Sequence, residues 1–249
     1  NNLKIKKLMF SVVFPGQGSQ VVGMGKLFYE KYDLVKNYFK EADETLNFPL
    51  SKVILDGPKS ELDLTFNTQP AIFLISYSIF NIIKKEFNIN LNKAEFFAGH
   101  SLGEYSALSC AGYMKFSDTI KILKIRGEAM QNAVPKGVGG MVAVLGTTIN
   151  NIGNTMKDNK NNFNLEIAND NSEGQIVVSG KLSDLEKFCE VLKSLGIKNI
   201  KLPVSAPFHC ILMNNATKIM ENEIKKIDLS KGFNTLMSNV TADKINQTT

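Results

Sequence analysis

The pentapeptide Gly99-His100-Ser101-Leu102-Gly103 places a serine between two glycines, where a strand pattern gives way to a helix pattern. The run at 94–98 is apolar enough for a buried strand, and residues 102–111 are rich in small and helix-forming side chains. A sharp turn between two such elements requires small flanking residues. The pattern therefore predicts a nucleophile elbow, in which Ser101 projects from the turn and the helix N-terminus stabilises negative charge.

Around this elbow, the sequence predicts alternating strands and helices. An apolar, β-rich run at 7–14 ends in a glycine-rich loop at 15–20, and helical patterns follow at 28–44, 71–86 and 117–133. The loop is not a dinucleotide-binding fingerprint, because Val21 stands where the third glycine is needed and no Walker lysine follows. We therefore exclude nucleotide binding at this loop.

Past Pro135 the elements become shorter. The predicted elements are strands at 141–145, 164–168, 175–179 and 200–204, with helices at 149–157 and 183–195. Their order, β-α-β-β-α-β, is the ferredoxin-like arrangement. We predict an α/β protein with a large α/β-hydrolase-like domain containing a parallel sheet (residues 1–134 and 205–249). A small ferredoxin-like α+β subdomain (residues 135–204) is inserted into it.

Composition excludes several classes of partner and site. No apolar run reaches the roughly 18 residues that span a bilayer, and the net charge of +5 is spread without the aromatic interleaving of a nucleic-acid groove. Cys110, Cys189 and Cys210 form no C-x-x-C pair and cannot all pair with one another, which argues against a zinc site or a disulfide framework and indicates a reducing compartment. The start at Asn1 lacks a signal-peptide layout, so we expect that any leader has already been removed.

The chain offers two histidines as the base that a serine nucleophile needs. His100 adjoins Ser101 on a tight turn, where neighbouring side chains diverge, so it is poorly placed to take the serine proton. Elimination assigns that role to His209, on a loop after the last strand of the small subdomain. A purely structural His209 would leave Ser101 without a base.

Arg126 is the only arginine among 29 basic residues. In a chain so strongly biased to lysine, a lone arginine indicates a task that lysine performs poorly. Planar, two-pronged binding of a carboxylate or phosphate is such a task. The alternative is an ordinary surface arginine that has no binding role.

Six motifs follow one another along nearly the whole chain. They are FPGQGSQ at 14–20, TQPA at 68–71, GHSLGEY at 99–105, RG at 126–127 with MQ at 130–131, ANDN at 168–171 with GQ at 174–175, and APFH at 206–209. Together they resemble the malonyl-CoA:acyl-carrier-protein transacylases, the acyltransferases of type II fatty acid synthesis. Six ordered motifs are far more specific than the elbow alone.

The resemblance implies a ping-pong reaction. Ser101, deprotonated by His209, attacks the malonyl thioester and expels coenzyme A. The phosphopantetheine thiol of acyl carrier protein then takes the malonyl group from the serine ester. Malonyl-CoA is thus a substrate, and no cofactor is permanently bound.

The resemblance also implies roles for four further residues. Backbone N–H groups of Gln17 and Leu102 hold the oxyanion, which gives the glycine-rich loop its purpose. Arg126 binds the free carboxylate of malonyl, in agreement with its rarity. Phe208 crowds out the α-methyl group of methylmalonyl.

Several expectations concern the protein as a whole. We expect a monomer, located in a plastid stroma if the source is eukaryotic and in the bacterial cytoplasm otherwise. Members of the family continue beyond the stretch at 239–241, so we expect that the C-terminal part of the large domain is missing. The group that orients His209 is expected to be missing with it.

Two other functions would make different demands on the sequence. A serine esterase or thioesterase on a related scaffold would need an acid–histidine pair near the C-terminus, and it has no use for an arginine facing an acyl carboxylate. A catalytically idle docking module would not need Ser101, His209 and Arg126 all intact.

Overall fold

The structure is a computed structural model that describes residues 9–204 and 206–245. These residues form two compact units. The first comprises the described residues up to Gly127 and from Glu223 onward, and the second is Glu128–Asn222. Among the described residues, no helix combines the length and the apolar character needed to cross a bilayer.

The first unit contains a four-stranded sheet and most of the helices. Its strands are β1 (Ser11–Phe14), β2 (Phe96–Gly99), β7 (Thr235–Met237) and β8 (Lys244–Ile245). Its helices are α1 (Lys26–Lys31), α2 (Asp33–Leu46), α3 (Leu50–Asp56), α4 (Lys59–Leu62), α5 (Thr65–Lys85), α6 (Leu102–Cys110) and α7 (Phe116–Gln131), of which α7 continues into the second unit. The predicted α/β class is confirmed, and the sheet is parallel across β1, β2 and β7, whereas β8 pairs antiparallel with β7.

The sheet order β1-β2-β7-β8 explains why two sequence motifs meet. Strands β1 and β2 are parallel, with Phe14 opposite Gly99 at their carboxyl ends. The glycine-rich loop follows β1 and the elbow follows β2, so both begin at the same edge of the sheet. Loops at the carboxyl ends of parallel strands are where α/β proteins place their sites. Phe14, Phe97 and Leu236 bury the sheet against its helices.

Two helical predictions differ from the structure. The helix predicted at 28–44 is two helices, α1 and α2, because Tyr32 adopts an extended conformation (φ −119°, ψ 119°). The helix predicted to begin at Ala71 begins at Thr65, with Pro70 inside it. The Thr68 hydroxyl donates to the Leu62 carbonyl at 2.6 Å and helps to hold this early turn.

Helices α3 and α4 were not predicted, although each begins directly after a proline, Pro49 or Pro58. Both are too short for a helical period to be recognised in the sequence. The predicted first strand begins at residue 11 in the structure, and residues 7 and 8 lie outside the described residues.

The second unit contains the six predicted elements in the predicted order. They are β3 (Gly139–Leu145), α8 (Ile149–Asp158), β4 (Leu165–Ser172), β5 (Gln175–Lys181), α9 (Leu182–Ser194) and β6 (Lys198–Lys201), followed by α10 (Asn214–Ile224), which ends in the first unit. The sheet order is β4-β5-β3-β6, with every neighbouring pair antiparallel. Strand β6 ends earlier than predicted, before Pro203, and Ser205 lies outside the described residues.

The second unit extends further along the chain than the small subdomain predicted from the sequence. Alternate residues of β3 face opposite sides of the sheet: Val142 and Val144 pack in one cluster with residues of α8 and α9, and Met141 and Ala143 pack in another with Phe208. Residues 206–222 therefore pack with the second unit, whereas the sequence assigned 205–249 to the large domain. Burial of this segment against the sheet face that carries Met141 and Ala143 explains the difference.

Candidate active site

Ser101 occupies a strained turn between β2 and α6. Its backbone angles, φ 53° and ψ −109°, lie in a region that residues other than glycine rarely adopt. The turn is closely packed: a Cβ on Gly99 would lie 1.9 Å from the Gly103 carbonyl oxygen, and one on Gly103 would lie 2.5 Å from the Phe14 carbonyl oxygen. The glycines flanking the serine thus leave room for backbone to meet backbone, as the sequence predicts for an elbow.

A pair of glycine substitutions tests this packing. We expect Gly99→Ala to lower the free energy of unfolding by about 3 kcal/mol or more, because backbone atoms cannot move aside as a side chain can. The control is Gly153→Ala in α8, where an added Cβ meets nothing within 4 Å. It should raise stability by about 0.5–1 kcal/mol through helix propensity. Urea unfolding measures both, and equal effects would contradict the close packing at the elbow.

Asn239 holds the elbow from a distant part of the chain. Its Oδ1 accepts from the Ser101 N–H at 2.6 Å, and its Nδ2 donates to the Gly99 carbonyl. One amide side chain therefore satisfies a backbone group on each side of the strained turn. This role of Asn239 is not predictable from the sequence, since a contact spanning 138 positions leaves no local signal.

The loop after β1 and the start of α6 present two available N–H groups. The loop is braced by the Ser19 hydroxyl, which donates to the Gly16 carbonyl at 2.9 Å. A Cβ on Gly16 would lie 2.5 Å from His100 Nδ1, so this loop lies against the elbow. Within the described part of the chain, the N–H groups of Gln17 and Leu102 donate to no protein acceptor. Both therefore remain available to an oxyanion.

Arg126 contacts the serine hydroxyl directly. Its Nη2 donates to Ser101 Oγ at 3.1 Å, and its Nη1 donates to Gln69 Oε1 at 2.7 Å. The next residue, Gly127, lets α7 approach α5, because a Cβ there would lie 2.3 Å from the Phe66 Cα. The structure thus brings Arg126 into contact with both Ser101 and Gln69.

The positive charge of the Arg126 guanidinium is partly removed from solvent and is not neutralised by a direct ion pair among the described residues. Burial lowers its pKa, while Tyr105 and Glu104 act in the opposite direction. Burial also raises the pKa of Glu104, against the influence of the Asn239 backbone N–H and of Arg126. Among the described residues, no carboxylate forms an ion pair with Arg126. This environment favours an anionic ligand.

His209 and Phe208 lie in the second unit. His209 is exposed and has φ 57°, an unusual conformation for a residue other than glycine. Phe208 is only 6% exposed and packs in a cluster with Met141 and Met213. Its side chain therefore has a packing role, and its role in choosing the acyl group stays a prediction. The other histidine, His100, is exposed beside Gly16 in the first unit.

The three cysteines are free thiols, and Cys110 and Cys210 are buried. In the ranges 9–204 and 206–245, no group of three or more His, Cys, Asp or Glu side chains is arranged to hold a metal ion. The groups that the structure describes around Ser101 are its hydroxyl, backbone N–H donors and the half-buried guanidinium of Arg126.

Comparison with known proteins gives one consistent result. The sequence matches the family described as the acyl transferase domain over residues 11–249. It is 42% identical over 233 residues to the malonyl CoA-acyl carrier protein transacylase of Bacillus subtilis, covering 93% of this chain and 72% of that protein.

Two solved structures are similar in fold. One is an acyl-carrier-protein-S-malonyltransferase from Bartonella henselae, with a TM-score of 0.92 and 38% identity, covering 96% of this chain and 77% of that one. The other is a type II PKS acyl-carrier protein in complex with its malonyl-transacylase, with a TM-score of 0.91 and 33% identity, covering 96% and 77% of the two chains.

Proposed function

The chain belongs to the acyl transferase domain family, and from this premise we propose that Ser101 carries the acyl group in its reaction. The protein is an acyltransferase that moves malonyl from malonyl-CoA to the phosphopantetheine thiol of acyl carrier protein. Malonyl-CoA is a substrate rather than a resident cofactor. The observation that carries the assignment of Ser101 is its position on a strained elbow within hydrogen-bond distance of Arg126.

In the first half-reaction, Ser101 Oγ attacks the thioester carbonyl carbon and its proton passes to His209. The tetrahedral intermediate then collapses, the carbon–sulfur bond breaks, and coenzyme A leaves as a thiol with the proton from His209. In the second half-reaction the carrier thiol gives its proton to His209 and attacks the ester. Ser101 Oγ leaves and recovers that proton.

Hydrogen bonding around Ser101 is compatible with this proton path. Arg126 Nη2 donates to Oγ, so this contact uses a lone pair of the serine oxygen and not the serine proton. The N–H groups of Gln17 and Leu102 would hold the oxyanion of each intermediate. Donors of this type typically lower an acyl-transfer barrier by about 3 kcal/mol each.

Arg126 would bind the free carboxylate of the malonyl group. A guanidinium offers planar, two-pronged hydrogen bonding that matches a carboxylate. Because the cation is partly desolvated and forms no direct ion pair with a carboxylate among the described residues, the substrate carboxylate would supply that ion pair.

Replacing Arg126 tests this assignment. We expect Arg126→Ala to lower kcat/KM for malonyl-CoA by at least tenfold, because losing a charge-assisted pair inside a pocket costs about 2–5 kcal/mol. Acetyl-CoA has no carboxylate, so its slow background transfer should hold or improve. Arg126→Lys should recover only part of the malonyl rate, since an ammonium lacks the planar fork. Equal proportional losses for both thioesters would show that Arg126 supports the fold or binds coenzyme A instead.

Several finer assignments rest on single observations. The order β4-β5-β3-β6 with antiparallel neighbours supports a ferredoxin-like class for the second unit, and the parallel pairing of β1, β2 and β7 supports a hydrolase-like class for the first.

The two relatives named above with their source organism are bacterial, which supports a bacterial cytoplasm as the cellular location and does not support a plastid. The monomeric state stays a prediction.

A further inference from the structure

One conspicuous sequence motif has no part in the reaction as described so far. The TQPA motif at 68–71 lies in the second turn of α5, and its glutamine, Gln69, is 1% exposed. A buried amide is retained only where its polar atoms are satisfied. Its Oε1 accepts from Arg126 Nη1 at 2.7 Å, so the motif reaches the site through the arginine.

The guanidinium is held at both of its terminal nitrogens. Gln69 accepts from Nη1 and Ser101 accepts from Nη2, so the orientation of the plane is fixed relative to the nucleophile. The backbone supports this arrangement, because Gly127 lets α7 lie against the start of α5 at Phe66. The position of Gln69 is therefore set by helix packing, and the guanidinium aligns to it.

The acceptor that α5 offers to Arg126 is a neutral amide, and this matters for the chemistry. A glutamine oxygen accepts the same hydrogen bond as a glutamate oxygen but does not neutralise the cation. A carboxylate at this position would form a buried ion pair with Arg126 and compete with any anionic ligand. A neutral acceptor fixes the guanidinium and leaves its charge for the substrate.

We propose that Gln69 is a positioning residue that sets the preference for acyl groups bearing a free carboxylate, by fixing Arg126 through a neutral hydrogen bond. This inference rests on the proposed role of Arg126. It predicts that Gln69 acts on acyl choice and does so only through the arginine.

The experiment measures acyl-enzyme formation from malonyl-CoA and from acetyl-CoA in rapidly quenched samples. Gln69→Met keeps the length of the side chain and removes the amide, and it should lower the malonyl-to-acetyl rate ratio by about tenfold. Gln69→Glu keeps the shape and adds a competing charge, so it should lower the ratio further, by about a hundredfold. In an Arg126→Ala background, Gln69→Met should cause no further change in the ratio.

Asn67→Leu is the matched control. Asn67 is a buried amide on the same helix, bonded to Lys124 Nζ and to the Glu61 carbonyl, and its loss should leave the ratio unchanged. If Arg126→Ala lowers the ratio and neither Gln69 variant does, the inference about Gln69 is overturned and the role of Arg126 stands. If Arg126→Ala itself leaves the ratio unchanged, the proposed role of Arg126 is overturned. A fall in the ratio for Asn67→Leu equal to that for Gln69→Met would also overturn the inference.

Discussion

Replacing Ser101 with alanine is expected to abolish malonyl transfer to acyl carrier protein. The covalent route has no other acceptor at the elbow, and removing the nucleophile of an acyl-transfer enzyme typically costs about 10⁶-fold in kcat. The change removes one hydroxyl from a partly buried position, so the fold should be retained. The rate of malonyl transfer to the holo carrier, measured in excess malonyl-CoA, gives the readout.

Ser106→Ala is the matched control for Ser101→Ala. Ser106 lies on the same helix, α6, is fully buried, and its hydroxyl has no hydrogen-bond partner among the described residues. Removing that hydroxyl should leave transfer within about twofold of the parent, as expected for a site away from the chemistry. Transfer at the parent rate by Ser101→Ala would exclude Ser101 as the nucleophile.

Replacing His209 with alanine is expected to slow acylation of Ser101 by about 10²–10⁴-fold, the usual contribution of a positioned base. The ratio of malonyl to acetyl rates should be unchanged, because the base acts on the serine proton and not on the acyl carboxylate. This pattern separates His209 from Arg126, whose loss should change the ratio. Single-turnover kinetics with both thioesters measures the rate and the ratio together.

His100→Ala is the control for His209→Ala, since the chain has two histidines. His100 is exposed beside Gly16, and its loss should mainly affect packing of the glycine-rich loop. If His100→Ala lost the chemistry while a folded His209→Ala kept it, the assignment of the base would have to be reversed.

The features predicted well from sequence are those that depend on neighbouring residues. The elbow is local: its strand, glycines and helix lie within residues 94–111, and the structure places β2 and α6 there. The six elements of the second unit were predicted because each has its own period and turn residues. The roles of Ser101 and Arg126 stay predictions, and the direct hydrogen bond between their side chains is a finding that the sequence does not predict.

The features that were missed depend on distant contacts. Asn239 contacts Ser101 across 138 positions of the chain, and Gln69 contacts Arg126 across 57 positions. No local sequence pattern indicates such contacts. The sequence places the boundary between the small subdomain and the large domain near residue 205, because the last predicted strand of the subdomain ends at residue 204. The structure instead groups residues 206–222 with the second unit, because Phe208 and Met213 bury their side chains against its sheet.

The most direct test of a serine-bound intermediate is the intact mass of the enzyme after mixing with malonyl-CoA alone. We expect a mass increase of one malonyl group, located on Ser101 by peptide mapping and absent in Ser101→Ala. Adding the holo carrier should remove this mass from the enzyme and place it on the carrier thiol. Malonylation of the carrier without any enzyme adduct in rapidly quenched samples, or an adduct mapped to Cys210 or Ser19, would contradict transfer through Ser101.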